Sequence, residues 1–194
     1  MEEKYLKEMV QTNVGMSISR IKEKSNQEGI EQKIITPRAI QQNEIKDAEL
    51  EIIKIENDDH KLRKTKKGDI IVKTTSPFDV VLIDEQHEGL FYNSFCIDMT
   101  VSSEELESTY LFAFLNSKWI RNKLENKVRS YRTTPISKKD IEEIKIPILT
   151  KKQQKLIGKL YLNVMEKEKI WKRMIENEKD TIETIILKKG GFFE

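Results

Sequence analysis

Apolar and polar positions along the chain fall into two regimes that meet near residue 102. Before it, short β-branched and aromatic runs alternate with turn residues; after it, apolar residues recur at helical spacing. Residues 3–10 are predicted to form a short helix, and residues 11–29 a loop region with Gly15, Gly29 and Arg20 within SISR. Lys33–Thr36 reads as a short strand stopped by Pro37, and Glu51–Ile55 as another. The clearest strands are Asp69–Thr75 after Gly68, Asp79–Asp84 after the Ser76-Pro77 turn, and Leu90–Met99 after Gly89.

In the second regime, Ser102 or Ser103 caps a helix with Glu104 and Glu105 in its first turn. Its apolar face runs through Leu106, Tyr110, Leu111, Phe114, Leu115, Ile120, Leu124 and Val128, wide enough to pack on a sheet. Arg121, Lys123 and Lys127 project from its other faces. A polar loop follows, Arg129-Ser130-Tyr131-Arg132-Thr133-Thr134-Pro135. Ser137 caps a single helical turn, and Glu143–Ile148 is a strand ending around Pro147. From Lys151 to Leu187 the chain reads as one charged helix, with Gly190-Gly191 as its stop.

That helix carries a seam. Ile157, Leu160, Val164, Trp171, Met174 and Ile185 fall on one heptad register, with Ile175, Ile182 and Ile186 on the adjacent position. Lys167, Glu178 and Thr181 interrupt it. At 1.5 Å per residue such a helix spans roughly 55 Å, more than a domain of this size needs. It calls for a partner helix. The fold class is α+β (mixed α/β), with a β-rich globule followed by a long coiled-coil-forming helix. The expected boundaries are 1–149, 150–188 and a tail at 189–194.

Composition narrows the classes. Hydrophobic residues make up 37% and charged residues 35%, enough for one core plus a solvated helix. Net charge is only +2, so distribution matters more than sum. Residues 41–59 hold seven Asp/Glu against two Lys. Residues 61–67 hold five basic residues and no acid, and residues 118–139 hold eight Lys/Arg against Glu125 alone. Basic runs flanking a β-rich segment suit a phosphate-binding surface, although charge runs also make ordinary solvated faces. The single Cys96 excludes an internal disulfide and reads as a small core residue. No signal-peptide pattern or membrane-length apolar run is present, so an intracellular, cytoplasmic protein is expected.

Catalytic motifs are missing: no phosphate-cradling glycine loop, no nucleophile elbow, no metal-spaced Cys/His set. His87 between Glu85 and Glu88 fits a polar hairpin loop better than a metal site. Asp79 with Glu143-Ile144-Lys145 is a poor nuclease triad, because Glu143 and Lys145 open a strand. What remains is a binding surface. Paired Arg donors bind phosphates and read guanine edges. Candidates are Arg20 and Arg38 in loops, Lys73, Ser76 and Phe78 around the Ser-Pro turn, and Arg129, Tyr131, Arg132 and Thr133 in the basic loop.

The order Ser137-Lys138-Lys139-Asp140-Ile141, Ile144-Lys145-Ile146-Pro147, Gln153-Gln154-Lys155-Leu156-Ile157 resembles the segment closing each target-recognition domain of type I restriction-modification specificity (S) subunits. Lys67-Gly68-Asp69-Ile70-Ile71-Val72, Glu88-Gly89 with Tyr92-Asn93, Tyr110-Leu111 and Leu115-Asn116-Ser117 resemble further family segments in the same order. One proline stands where the family has two, and Lys152 replaces an acidic residue before Gln153. The resemblance implies a non-catalytic subunit that reads double-stranded DNA. Its partners would be modification (methyltransferase) subunits, which carry the S-adenosylmethionine, and in some systems restriction subunits. A full S subunit has two recognition domains and two conserved helices; one of each is visible here. The implied arrangement is a half-subunit forming a homodimer through Ile157, Leu160, Val164, Trp171, Met174, Ile175, Ile182 and Ile185, and reading a palindromic bipartite site. The competing reading is a structural module that docks a partner through the long helix and has no DNA role.

Overall fold

The computed structural model describes residues 2–17, 30–55, 63–131 and 135–190. The chain divides into two compact units, Met1–Gly158 and Lys159–Glu194. The first is the α+β globule. The second continues the helix that begins at Lys151.

The first unit starts with β1 (Glu3–Tyr5), α1 (Leu6–Met9) and β2 (Val10–Val14). Next come β3 (Ile30–Ile35), the short strands β4 (Ile40–Gln41) and β5 (Glu44–Ile45), and β6 (Glu51–Ile55). Strands β7 (Ile70–Lys73), β8 (Val80–Leu82), β9 (Phe91–Tyr92) and β10 (Cys96–Val101) follow. The helices are α2 (Ser108–Leu115), α3 (Lys118–Tyr131) and α4 (Lys138–Glu142). Strand β11 (Lys145–Pro147) precedes the long α5 (Lys151–Lys189).

Strand β10 organises the larger sheet, which runs β2-β10-β7-β8. It pairs antiparallel with β2, Asp98 opposite Asn13, and with β7, Asp98 opposite Ile71. The period-two alternation of a strand sends Cys96 to one face of this sheet and Ile97 and Met99 to the other. Cys96 packs with Ile71, Val81, Ile83, Ile35, Ile40 and Tyr92 in a closed apolar cluster. The opposite face meets the helices: α2 packs on β8, and α4 on β2. Both faces are covered, which explains why the strands read as near-continuous apolar runs rather than as alternation. A second sheet, β6-β3-β9, combines an antiparallel and a parallel pairing. Ile34, Ile53 and Phe91 bury there. Strand β1 pairs with β11, tying the start of the chain to the segment that launches α5.

Several sequence expectations change. Residues 3–10 are a strand and one helical turn rather than a helix. Residues 11–14, expected as loop, belong with Val10 to a strand of the larger sheet, because Val10 and Thr12 bury while Gln11 is exposed and the strand pairs with β10. Leu90–Met99 is two strands separated by Asn93-Ser94-Phe95, where Asn93 Oδ1 accepts from the Phe95 N–H at 3.0 Å and the Cys96 N–H donates to Asn93 O at 2.9 Å. The helix after residue 102 starts at Ser108 with Glu107 at its cap; Ser103 instead closes a turn by accepting from the Glu105 N–H. It also breaks at Asn116-Ser117, giving α2 and α3. The break is built: Asn116 Nδ2 donates to Val80 O and Phe112 O, and the Ser117 hydroxyl accepts from the Ile120 N–H. The first three residues of the predicted basic loop, Arg129 to Tyr131, complete α3.

Other expectations stand. Ser137 caps α4 in a reciprocal box, its Oγ accepting from the Asp140 N–H while Asp140 Oδ2 accepts from the Ser137 N–H. Cys96 is fully buried, and burial pushes its thiol up to about 12, so it is an inert core residue.

Candidate functional site

The Ser-Pro turn and the segment after α3 come together at one end of the first unit. The β7–β8 connection runs through Thr74, Thr75, Ser76 and Pro77, with a cis Ser76-Pro77 bond and the Phe78 N–H donating to Thr75 O at 2.9 Å. The Ile136 N–H donates to Thr74 O at 2.9 Å, so the segment entering α4 lies against that turn. Ser76 is exposed and Lys73 half-buried at the end of β7, where it pairs with Cys96. Arg129 is exposed in the last turn of α3. Between α3 and α4 lies a cavity of about 370 Å³, floored by Val128, Pro135 and Ile136 and edged by Lys127, Asp140, Lys139 and Glu143.

Phe78 does not belong to an exposed surface. Its side chain is 1% exposed, and a positive φ of 55° turns it inward. An aromatic ring buries a large apolar area, and here that burial wins over any surface role. Arg38 is exposed and forms an ion pair with Glu49. Arg20, Arg132 and Thr133, and the side chain of Tyr131, lie outside the described residues, as do His60 and Gly191.

The basic tract 118–139 divides by structure. Arg121 turns inward: it faces the buried Asp79 at 3.6 Å and donates to Asn43 and to Asn116 Oδ1. It therefore joins three pieces, the β4–β5 hairpin, the α2–α3 break and the β7–β8 connection. Lys127 pairs with Asp140, and Lys138 and Lys139 pair with Glu142 and Glu143 one turn on. Burial pushes the Asp140 carboxyl up, but the Lys127 ammonium and the Ser137 hydroxyl and N–H outweigh it, so Asp140 sits below the usual carboxylate range. Lys118, Lys123 and Arg129 are left exposed on α3. Beside them stands Trp119, 61% exposed, with the Lys123 ammonium over its ring at 5.2 Å from the centroid. The sequence reading passed over Trp119; the available signal was a tryptophan one position off an apolar face that continues through Ile120.

A second polar group lies inside the globule. Asp98 is fully buried on β10. Arg63 Nε stands 3.4 Å from its Oδ2, and the Tyr92 hydroxyl 3.5 Å. Asp69 Oδ1 accepts from the Thr100 hydroxyl at 2.7 Å, and Thr100 Oγ1 in turn accepts from Arg63. Burial, and then the neighbouring Asp69, push the Asp98 carboxyl up to about 7, with Arg63 opposing. Among the described residues no group of three or more His, Cys, Asp or Glu side chains is placed to hold a metal ion. His87 instead bridges Asp84 of its own loop, at 2.7 Å, and Asp47 in the helical turn before β6, at 3.3 Å.

The long helix is capped by Thr150, whose hydroxyl and N–H both donate to Gln153 Oε1 while its Oγ1 accepts from the Gln153 N–H. Beyond residue 158, the side chains of Leu160, Val164, Trp171, Met174, Ile175, Ile182 and Ile185 are all exposed, Trp171 to 67%. Ile157 is exposed as well. Among the described residues no helix is long and apolar enough to cross a membrane.

Comparison with known proteins places this geometry. A family model described as the type I restriction modification DNA specificity domain matches residues 1–183. A chain from a structural study of complex assembly and conformational transition of the type I R-M system is similar over 97% of this chain and 45% of its own length, with a TM-score of 0.67 and 16% identity. The HsdS subunit from Thermoanaerobacter tengcongensis is similar over 97% of this chain and 44% of its own, with a TM-score of 0.63 and 17% identity. The type I restriction-modification system S subunit from M. genitalium is similar over 95% and 44%, with a TM-score of 0.61 and 13% identity. The comparison with curated proteins returned no match. This chain thus spans less than half the length of the solved subunits that share its fold. With 183 of its residues covered by one family model, the chain belongs to the type I restriction-modification DNA specificity domain family.

Proposed function

We propose that the chain is the DNA-reading component of a type I restriction-modification complex, acting as a half-subunit that pairs with a second copy of itself. Residues 1–149 form the target-recognition domain, residues 150–188 the dimerisation and spacing helix, and residues 189–194 a tail. The observation that carries the reading is the family match across both the globule and the helix. The exposed apolar seam on α5 supports the pairing, since a helix with that many solvent-facing isoleucines and a tryptophan is incomplete alone. The chain performs no chemistry in this reading. Methyl transfer from S-adenosylmethionine takes place on modification subunits that the dimer directs to a bipartite site, in the cytoplasm where the host DNA lies; a restriction subunit joins where the system cuts.

In this reading Lys73, Ser76 and Arg129 stand at the DNA-facing end, and Arg20, Arg38, Tyr131, Arg132 and Thr133 are the further contacts expected from the sequence. Arg and Lys there neutralise phosphates, and the loop side chains read base edges. Binding by the assembled complex to a duplex carrying the host methylation motif is expected to weaken steeply with salt, and the Arg129→Ala, Arg132→Ala double variant to lower both affinity and salt slope. An affinity and slope equal to wild type in that variant would remove this end from the interface. A salt-independent interaction with DNA by the whole complex would instead favour a structural module that docks a partner through α5.

A further inference from the structure

Helix α3 has one apolar face and one face of unusual composition. Ile120 and Leu124 are buried and Val128 is half-buried. At about 100° per residue these three fall within an arc of roughly 80°. The opposite arc, roughly 140° wide, carries Lys118, Trp119, Asn122, Lys123, Asn126 and Arg129, and all six are exposed. It holds three cations, two carboxamides and an indole, and no carboxylate. Glu125 lies at the edge of this arc and is half-buried.

The cations of this arc differ from the rest of the basic tract. Arg121, Lys127, Lys138 and Lys139 each face a carboxylate. Among the described residues, Lys118, Lys123 and Arg129 form no ion pair. The Lys123 ammonium stands over the Trp119 ring, 5.2 Å from its centroid. That ring is itself held. Phe114 lies against it with centroids 6.3 Å apart, and Tyr110 lies against Phe114 at 6.4 Å. The row of rings runs from α2 across the Asn116-Ser117 break to α3 and leaves Trp119 61% exposed. Exposed charges contribute little to folding, and a ring in water contributes less than a buried one. Stability therefore does not account for this face.

Its chemistry suits a polyanion with apolar surface between its charges. The phosphates and deoxyriboses of duplex DNA have that pattern. From Lys118 to Arg129 the arc runs ~17 Å, about the rise of five base pairs at ~3.4 Å each. Arg129 closes it at the end of the globule where the Ser76-Pro77 turn lies, so the face is continuous with the end already assigned to DNA.

We propose that the outer face of α3 is a sequence-independent track for the DNA backbone, adjoining the loops that read bases. Lys118 and Lys123 neutralise phosphates there. Trp119 lays its ring on deoxyribose and keeps the Lys123 ammonium in place. This rests on the recognition reading above, and it adds a surface of which that reading uses Arg129 alone.

Two measurements on the chain assembled with its modification subunits test the track. The first is a lysine footprint: acetylation by an N-hydroxysuccinimide ester, read by mass spectrometry. It compares the chain alone, the chain with modification subunits, and that complex with duplex DNA. Addition of duplex is expected to slow acetylation of Lys118 and Lys123 by about fivefold or more and to leave Lys7 unchanged. Slowing by the modification subunits alone would make this face a protein-docking surface and overturn the proposal, as would no slowing at all. The second is DNA affinity across a salt series, on a duplex with the host methylation motif and on a scrambled one. The Lys118→Gln, Lys123→Gln double variant is expected to bind both about tenfold more weakly, with a salt slope shallower by about two. Trp119→Ala is expected to weaken both about threefold at an unchanged slope, since it removes no charge. The control is Lys7→Gln with Lys145→Gln, two exposed lysines that flank Tyr5. A wild-type slope in the α3 double variant, or an equal change in the control, overturns the track. Equal binding of motif and scrambled duplexes by wild type overturns the recognition reading instead. The footprint and the slope still decide the track in that case, because neither depends on sequence.

Discussion

Two arginines eight positions apart in the same basic tract illustrate how burial assigns a role. Arg121 faces the buried Asp79 and donates to Asn43 and Asn116, whereas Arg129 stands in solvent at the end of α3. Removing Arg121 leaves a buried carboxylate and two amide oxygens short of a donor, a loss on the order of 3 kcal/mol. Arg121→Ala is therefore expected to lower the urea midpoint clearly, and Arg129→Ala to leave it within about 0.5 kcal/mol of wild type, since surface changes seldom do more. Equal midpoints would contradict the inward role of Arg121. Asp98 gives the second residue-scale expectation. Its carboxyl is raised from an ordinary 3.8 to about 7 in the folded chain. Between those values the folded state keeps a proton that the unfolded state has released, so this group makes stability fall as pH rises from about 4 to 7, by up to about 1.4 kcal/mol per pH unit. Asp98→Asn is expected to remove that slope, measured as unfolding free energy at pH 5 and pH 8; an equal drop in both proteins would contradict it. The inward turn of Arg121 and of Phe78 was not legible from sequence, where Arg121 was expected to project from a helix face away from the apolar side and Phe78 read as a candidate beside the Ser-Pro turn. Which way a side chain points depends on partners distant in the chain, such as Asn43 for Arg121.

Elements whose signals are local were legible. The Ser137 cap, the Gly68-led strand, the turn at Ser76-Pro77 and the long helix from Lys151 are all present, because caps, glycine turns and helical periodicity are written within a few residues. Elements that depend on a distant neighbour were not. Strand β2 has an ordinary polar sequence and is a strand because β10 offers it a free edge. The β4–β5 hairpin escaped notice since its turn, Gln42-Asn43, reaches positive φ at both positions without a glycine to announce it. For α5 the seam makes a prediction at this scale. Trp171→Lys with Ile175→Lys places two charges on it without touching the globule, and the self-association constant is expected to weaken by at least about a hundredfold. Sedimentation equilibrium checks this, and an unaltered dimer would move the pairing surface away from the seam.

At the scale of the whole molecule, a globule closed on both sheet faces carries a helix of 39 residues that is exposed along most of its length. At 1.5 Å per residue that helix is ~58 Å long, a length that in the proposed pairing of two half-subunits suits half-sites about one to one and a half DNA turns apart at ~34–36 Å per turn. Family and overall architecture were legible because they rest on the order of several short segments. The proposed DNA-facing surface rests on basic runs that mark a region and no more, because base contacts depend on loop geometry that no local pattern encodes. Net charge of +2 conceals that region, since acids elsewhere in the chain balance the lysines and arginines. The most direct test of the recognition role is a genome-wide map of N6-methyladenine in the host with the gene intact and deleted, the neighbouring methyltransferase being expressed in both. Loss of a single bipartite motif on deletion, palindromic if two copies of the chain read it, is the result the half-subunit predicts. An unchanged map would contradict it.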